Sequence, residues 1–149
     1  MNNQDFTTTI LVDQTPKEAF DAINNVRGWW SENIIGNTDE INSEFTYKAK
    51  DLHRCTMRLI EAESGEKVIW LVLDNYFSFA SDQSEWKDTK ISFEISKQDD
   101  KTQIRFAHIG LVPEHECFDI CQNAWSGYIN NSLRDLIATG KGQPNRKED

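Results

Sequence analysis

The chain has 149 residues, a formal net charge of -9 and a sequence pI near 4.8. This length suits one domain with a hydrophobic core, and the scattered Lys and Arg residues exclude the basic surface that general nucleic-acid binding requires. The three cysteines form no disulfide framework, the first residues do not resemble a signal peptide, and no segment has the length of a membrane span. We therefore expect a cytoplasmic protein.

The first predicted element is a strand over residues 6–12, where β-branched and apolar side chains alternate. A helix then begins after Thr15. Thr15 suits the N-cap, Pro16 suits the first helical position, and Glu18 lies three residues beyond the cap.

A second short helical turn is predicted at residues 29–31, before a loop at residues 35–38. Five further stretches have the pattern of strands, namely residues 44–48, 53–59, 68–73, 91–96 and 103–108. The third of these is apolar at both parities, so its outer face should meet another element or another chain. Residues 74–85 carry aromatic side chains without a strand pattern, and we predict a long loop there.

The last predicted element is a helix over residues 113–139, which Gly140 ends. Its apolar stripe consists of Phe118, Cys121, Trp125, Ile129 and Leu136. Gln122 and Ser132 lie on or beside this stripe, where polar groups need partners or water. We therefore predict a cavity under the helix. Residues 141–149 are expected to form a flexible tail.

The order of the elements is one strand, two short helices, five strands and one long helix. This order predicts an α+β domain in which a curved antiparallel sheet of six strands wraps around the C-terminal helix. Residues 1–140 are predicted to form this single domain.

Three stretches carry a resemblance to a known family. They are residues 10–20, ILVDQTPKEAF, with the turn at Trp29 and Trp30, then residues 86–97, and then residues 102–111, TQIRFAHIGL, before a helix with Trp125. The chain resembles the helix-grip or SRPBCC superfamily, which includes START-like lipid-transfer domains, birch pollen allergen relatives and polyketide cyclases. The last two stretches are most similar to the C-terminal domain of the activator of the ninety-kilodalton heat-shock ATPase. The resemblance implies a ligand cavity between the sheet and the long helix.

We predict that this cavity binds a small hydrophobic or aromatic ligand, including lipids. The five tryptophans of the chain support this prediction, because indole rings offer flat apolar walls with one N–H donor. The predicted lining residues are Trp30, Met57, Phe77, Phe93, Phe106, His108, Cys121, Gln122, Trp125 and Ile129.

His108 has the inward parity of its strand. It is either an acid or base that acts on a ligand, or a histidine held by hydrogen bonds near the strand end. His115, Cys117 and Cys121 are zinc-ligand types, but helical spacing turns His115 away from the two cysteines. We therefore predict neither a metal site nor another cofactor.

Two alternative functions stay open. A protein-interaction module, with a chaperone as one partner, would use the apolar strand around Trp70 or the aromatic loop that follows it. A cyclase-like enzyme would use His108, although we predict no catalytic residue with the sequence alone. The chain is expected to be a monomer or a homodimer.

Overall fold

A computed structural model describes residues 5–49, 53–77, 86–112 and 118–145 of the chain. Its elements are β1 (Phe6–Val12), α1 (Pro16–Asn24), α2 (Val26–Trp29), β2 (Ile34–Gly36), β3 (Glu44–Ala49), β4 (His53–Glu63), β5 (Lys67–Phe77), β6 (Lys90–Gln98), β7 (Lys101–Ile109), α3 (Phe118–Gly127), a π-helical segment (Tyr128–Leu133) and α4 (Arg134–Thr139). The strands form one antiparallel sheet in the order β1-β7-β6-β5-β4-β3-β2. The predicted α+β class is confirmed.

Within the described residues the sheet has seven strands, and the prediction of six is wrong. The additional strand is β2, which pairs with β3 where the sequence predicted a loop. Three residues are too few to show an alternating pattern, and Gly36 has a φ of 114°, which is a turn-like conformation. Arg27 covers this edge strand by donating hydrogen bonds to the carbonyls of Ile34 and Gly36, at 3.0 and 2.7 Å.

The two short helices after β1 are confirmed, and the capping box at Thr15 is complete. The amide of Glu18 donates to Thr15 Oγ1 at 3.1 Å, and the amide of Thr15 donates to Glu18 Oε1 at 2.9 Å. These two bonds satisfy amides that would otherwise lack partners at the start of α1. The second helix begins at Val26, three residues before the predicted turn.

Strand β5 is longer than predicted. It continues to Phe77 because residues 74–77 still pair with β4, so a loop beginning at residue 74 is wrong; residues 78–85 lie outside the described part of the chain. The register shifts twice along the β4–β5 ladder, between Thr56 and Met57 and between Leu59 and Glu61. Such irregularities bend a strand and increase its twist.

The two apolar faces of β5 differ in burial. Its inward side chains, Val68, Trp70 and Val72, are fully buried. Its outward side chains, Ile69, Leu71 and Leu73, are only half-buried. The outer face of β5 therefore remains an apolar strip on the surface of the sheet.

The C-terminal helix occupies residues 118–139 of the described chain, and residues 113–117 of the prediction lie outside it. Its middle is π-helical, which the sequence did not indicate. The buried stripe consists of Cys121, Trp125, Ile129, Leu133 and Ile137. Leu136 from the predicted stripe is only half-buried, because the π-helical segment rotates the following residues. Gly140 ends the helix in the left-handed conformation, as predicted.

The first part of the C-terminal tail, residues 141–145, contacts the domain. The amide of Gln143 donates to Ser132 Oγ at 2.7 Å, and the amide of Asn145 donates to the carbonyl of Trp30 at 2.9 Å. A bridge between Ser31 and Asn145 completes the attachment. Residues 141–145 therefore pack on the domain instead of leaving it.

Gly142 lies where the tail passes closest to the domain. A Cβ atom at Gly142 would lie 2.5 Å from the carbonyl oxygen of Gly28 and 2.8 Å from that of Ser132. Backbone atoms cannot move aside as a flexible side chain can, so only glycine fits there. A Cβ at Gly127, in contrast, would meet no atom within 4 Å.

We expect Gly142→Ala to lower the free energy of unfolding by about 1–3 kcal/mol, because the tail must shift or detach. The matched control is Gly127→Ala, which should be neutral or should stabilise by up to about 1 kcal/mol through higher helix propensity. Urea unfolding followed by tryptophan fluorescence measures both variants. Equal stability of the two variants would contradict the close fit of the tail.

Candidate functional site

Tryptophan rings fill most of the space between the sheet and the helices. Trp29, Trp30 and Trp70 lie nearly parallel, with centroid distances of 6.0 to 6.3 Å. Trp125 lies 5.1 Å from Trp30 and is stacked on Trp86 at 5.7 Å. All five side chains are buried. The space that the sequence predicted as a cavity is therefore mainly a packed aromatic core.

His108 joins the helix to the sheet inside this core. Trp125 Nε1–H donates to His108 Nδ1 at 3.0 Å, and His108 Nε2 lies 2.8 Å from Thr89 Oγ1. The Thr89 hydroxyl donates to the carbonyl of Trp86, so it accepts the proton of His108 Nε2–H. The ring is thus the neutral Nε2–H tautomer, and the structure shows the hydrogen-bonded alternative for His108.

Ser132, a polar residue on the buried side of the helix, has hydrogen-bond partners within the protein. It is buried, its hydroxyl donates to the carbonyl of Trp29 at 2.7 Å, and its oxygen accepts from the amide of Gln143. Gln122 is half-buried and donates to Asp119 at 3.5 Å. Neither residue lines the cavity beside α3 that is described next.

A cavity of about 120 Å³ lies beside α3, and we call it the aromatic pocket. It lies at the margin of the tryptophan core. Its lining residues are Trp30, Tyr47, His53, Trp86, Ile120, Cys121, Ala124, Trp125 and Tyr128. Ile120 is 58% exposed, so the pocket reaches the surface along α3.

The polar groups of the aromatic pocket are held in place by amides. Asn145 Nδ2 donates to the hydroxyl oxygens of both Tyr47 and Tyr128, at 3.3 and 2.7 Å. His53 Nε2–H donates to Asn75 Oδ1 at 2.9 Å. The tail thus contributes directly to the pocket, since Asn145 fixes two of its hydroxyls.

Burial determines the protonation of these groups. It raises the pKa of Tyr47 far above its ordinary value, with a further contribution from the neighbouring Tyr128 hydroxyl. Burial lowers the pKa of His53 to about 4, and the hydrogen bond to Asn75 opposes this only in part. At neutral pH the pocket therefore holds a neutral phenol and a neutral imidazole. Burial also raises the pKa of the Cys55 thiol, which lies next to the pocket on β4.

The structure brings three of the predicted lining residues into the aromatic pocket, namely Trp30, Cys121 and Trp125. Five others are buried in the core away from this cavity, namely Met57, Phe93, Phe106, His108 and Ile129. Their inward parity was predicted correctly, but neighbouring side chains fill the space in front of them. Gln122 lies outside the pocket, and Phe77 ends β5 opposite His53, with its side chain outside the described part.

Sequence reasoning missed six residues of the pocket, which are Tyr47, His53, Trp86, Ile120, Ala124 and Tyr128. Tyr47 and His53 share the parity of the apolar residues of their strands, which was a usable signal. Ile120 and Ala124 lie beside the predicted helix stripe. Both are exposed residues, and they line the pocket because the pocket lies at the edge of the core.

No metal site is found within the described ranges, where no three His, Cys, Asp or Glu side chains cluster. His115 and Cys117 lie outside those ranges, and Cys121 faces the aromatic pocket. In the same part of the chain, no helix is long and apolar enough to cross a membrane.

No family model and no curated protein matches the sequence. Solved structures match its fold. The Aha1 dimer from Colwellia psychrerythraea superposes with a TM-score of 0.74 and 20% identity, covering 93% of this chain and 98% of that chain.

Two further structures share the fold. DynU16, a putative protein in the dynemicin biosynthetic locus, gives a TM-score of 0.68 and 10% identity over 98% of this chain, but only 52% of its own chain is covered. CalU16 from Micromonospora echinospora superposes with a TM-score of 0.61 and 12% identity, covering 93% of this chain and 76% of that chain. The predicted resemblance is confirmed at the level of the fold.

We expect the neutral His53 to make stability depend on pH. Between pH 6.5 and about 4 the unfolded chain binds a proton at His53 that the folded chain does not. This part of the stability is complete above pH 6.5 and is lost as the pH falls towards 4. His53→Gln keeps a donor for Asn75 and removes the titration.

Urea unfolding at pH 7 and pH 4.5 tests this expectation. The wild-type protein should lose about 2 kcal/mol more than His53→Gln over this interval, a value reduced from the full shift because the ring is partly exposed. An equal loss in both proteins would show that His53 does not titrate as the geometry requires.

Proposed function

We propose that the protein binds a small, mostly apolar ring compound in the aromatic pocket. The observation that supports this proposal is the lining itself, in which the rings of Trp30, Trp86 and Trp125 surround an opening next to α3. Flat apolar walls with a few oriented polar groups are typical of small-molecule sites. Part of the proposal is a reducing, cytoplasmic setting, because Cys55 and Cys121 are free and buried.

The size of the pocket limits the ligand. Its volume of about 120 Å³ is close to the roughly 150 Å³ of an engineered cavity that binds benzene. Pockets for drug-sized ligands have volumes of about 300–1,000 Å³. A single aromatic ring is therefore the ligand that fits best, with any substituent directed towards the opening at Ile120. Sterols and long acyl chains exceed the pocket.

Binding of toluene provides the direct test. Titration followed by the indole N–H signals in heteronuclear NMR spectra should shift the resonances of Trp86 and Trp125 in a saturable manner. Ala124→Trp places a large ring at the exposed edge of the pocket and should weaken binding about tenfold, which corresponds to roughly 1.4 kcal/mol.

Ala138→Trp is the matched control, because Ala138 is exposed on α4 and does not line the aromatic pocket. The control variant carries the same substitution elsewhere on the C-terminal helix. It should bind toluene with the affinity of the wild-type protein. If Ala124→Trp and Ala138→Trp bind toluene equally well, the ligand does not enter this pocket.

A second candidate function is that of a protein-interaction module, with the outer face of β5 as its surface. Two observations favour it. Ile69, Leu71 and Leu73 form an apolar strip on that face, and a structural neighbour that matches nearly its whole length, Aha1 from C. psychrerythraea, forms a dimer. A second copy of this chain and a ninety-kilodalton heat-shock chaperone are the two partners to compare.

The chaperone version predicts that the protein changes ATP turnover by the ninety-kilodalton chaperone of the same organism. Leu71→Arg should abolish the effect, because a charge in the apolar strip opposes burial. Leu11→Arg is the control. Leu11 is exposed on the edge strand β1, which β7 and β6 separate from β5. Unchanged turnover with the wild-type protein would remove the chaperone version. Sedimentation of the same variants tests self-association.

A cyclase-like activity has less support. Its candidate acid or base, His108, is fully buried, and both ring nitrogens bond to the protein. The residue connects β7 to the C-terminal helix through its bond with Trp125, and it does not line the aromatic pocket.

A further inference from the structure

The aromatic pocket is uncharged, although the chain as a whole is strongly acidic. None of the residues that line it in the described structure is Asp, Glu, Lys or Arg. Its polar side chains are two phenols and one imidazole, from Tyr47, Tyr128 and His53. An ionised ligand would lose its hydration on entry and would find no opposite charge among the described lining residues.

The hydrogen bonds of the two tyrosines leave a donor available. Asn145 Nδ2–H donates to both hydroxyl oxygens, so neither tyrosine O–H is used by Asn145. Both hydroxyl oxygens bond to the same Asn145 nitrogen, so the two tyrosines are neighbours, and a bond between them would use only one of the two O–H groups. Among the described residues, one tyrosine O–H is therefore left to donate to a ligand.

Tyr128 is the better placed of the two donors. Tyr47 is buried and stacked on Trp30 at 4.5 Å, whereas Tyr128 is half-buried at the rim. The Tyr128 side chain lines both the aromatic pocket and the neighbouring surface groove. Asn145 holds its oxygen at 2.7 Å, which restricts the directions in which its O–H can point.

We propose that the aromatic pocket selects uncharged rings that carry an oxygen acceptor, such as phenols and aryl ketones, and that the Tyr128 hydroxyl donates a hydrogen bond to this oxygen. This inference rests on the proposed ligand-binding function. It adds a chemical class and a specificity-determining residue. The neutral state of Tyr47 and His53 near pH 7 agrees with it, because their pKa values shift away from the charged forms.

Three probes of similar size test the inference, which are toluene, phenol and benzoate. The quantity to measure is the ratio of the phenol and toluene affinities, because this ratio removes the common contribution of the ring. Tyr128→Phe should lower the ratio by about three- to tenfold, the range expected for one net hydrogen bond. Benzoate should not bind measurably at pH 7.

Tyr76→Phe is the matched control. Tyr76 is a half-buried tyrosine on β5 that packs under Arg54 and does not line the pocket. This variant should keep the wild-type ratio and the wild-type toluene affinity.

The outcomes separate the inference from the function on which it rests. If toluene binds and Tyr128→Phe leaves the affinity ratio unchanged, the role of Tyr128 is refuted while the proposed function stands. Binding of benzoate as tight as that of phenol would overturn the selection for uncharged rings. If none of the three probes shifts the indole signals, both the proposed function and the inference fall.

Discussion

The hydrogen bond between Trp125 and His108 is the interaction on which the arrangement of helix and sheet depends. Trp125 is almost fully buried, so its indole N–H needs an acceptor, and His108 on β7 provides it. His108 can accept only because its other nitrogen donates to Thr89. One polar chain of three residues thus connects β7, the turn before β6 and the C-terminal helix inside an otherwise aromatic core.

The need to keep one face of the C-terminal helix on the sheet explains the π-helical segment. The buried stripe from Cys121 to Ile137 repeats every four residues, which is more than the 3.6 residues of an α-helical turn. In a regular α-helix such a stripe would rotate away from the sheet. A π-helical turn holds more residues, because its hydrogen bonds run from i to i+5. Six π-helical residues after Trp125 therefore keep Leu133 and Ile137 on the sheet.

Local patterns predicted most of the fold. The capping box at Thr15, the alternation in β6 and β7 and the glycine that ends the C-terminal helix each follow from a few neighbouring residues. The missed features depend on distant contacts. Strand β2 is defined by its pairing with β3, and the end of β5 by its pairing with β4.

The site was predicted less well than the fold, because parity identifies an inward side chain but not the space in front of it. Phe93 and Phe106 both point inward, yet they pack against each other at 5.2 Å and leave no room for a ligand. Trp30 and Trp125 also point inward, but they lie at the margin, where Tyr128 and Ala124 enclose an opening. The volume of a cavity depends on the packing of the whole core, so the pattern of a single strand cannot predict it.

The polarity of the aromatic pocket depends on the tail, which lies far from β3 in the sequence. Asn145 orients the hydroxyls of Tyr47 and Tyr128, and it reaches them only because the tail packs beside the π-helical segment. That packing in turn requires a glycine at position 142, where backbone oxygens leave no room for a Cβ. A single close backbone contact outside the pocket thus supports the bonds that orient the two hydroxyls of the pocket. The orientation of these hydroxyls and the packing of the tail are therefore coupled, although the tail forms none of the aromatic walls.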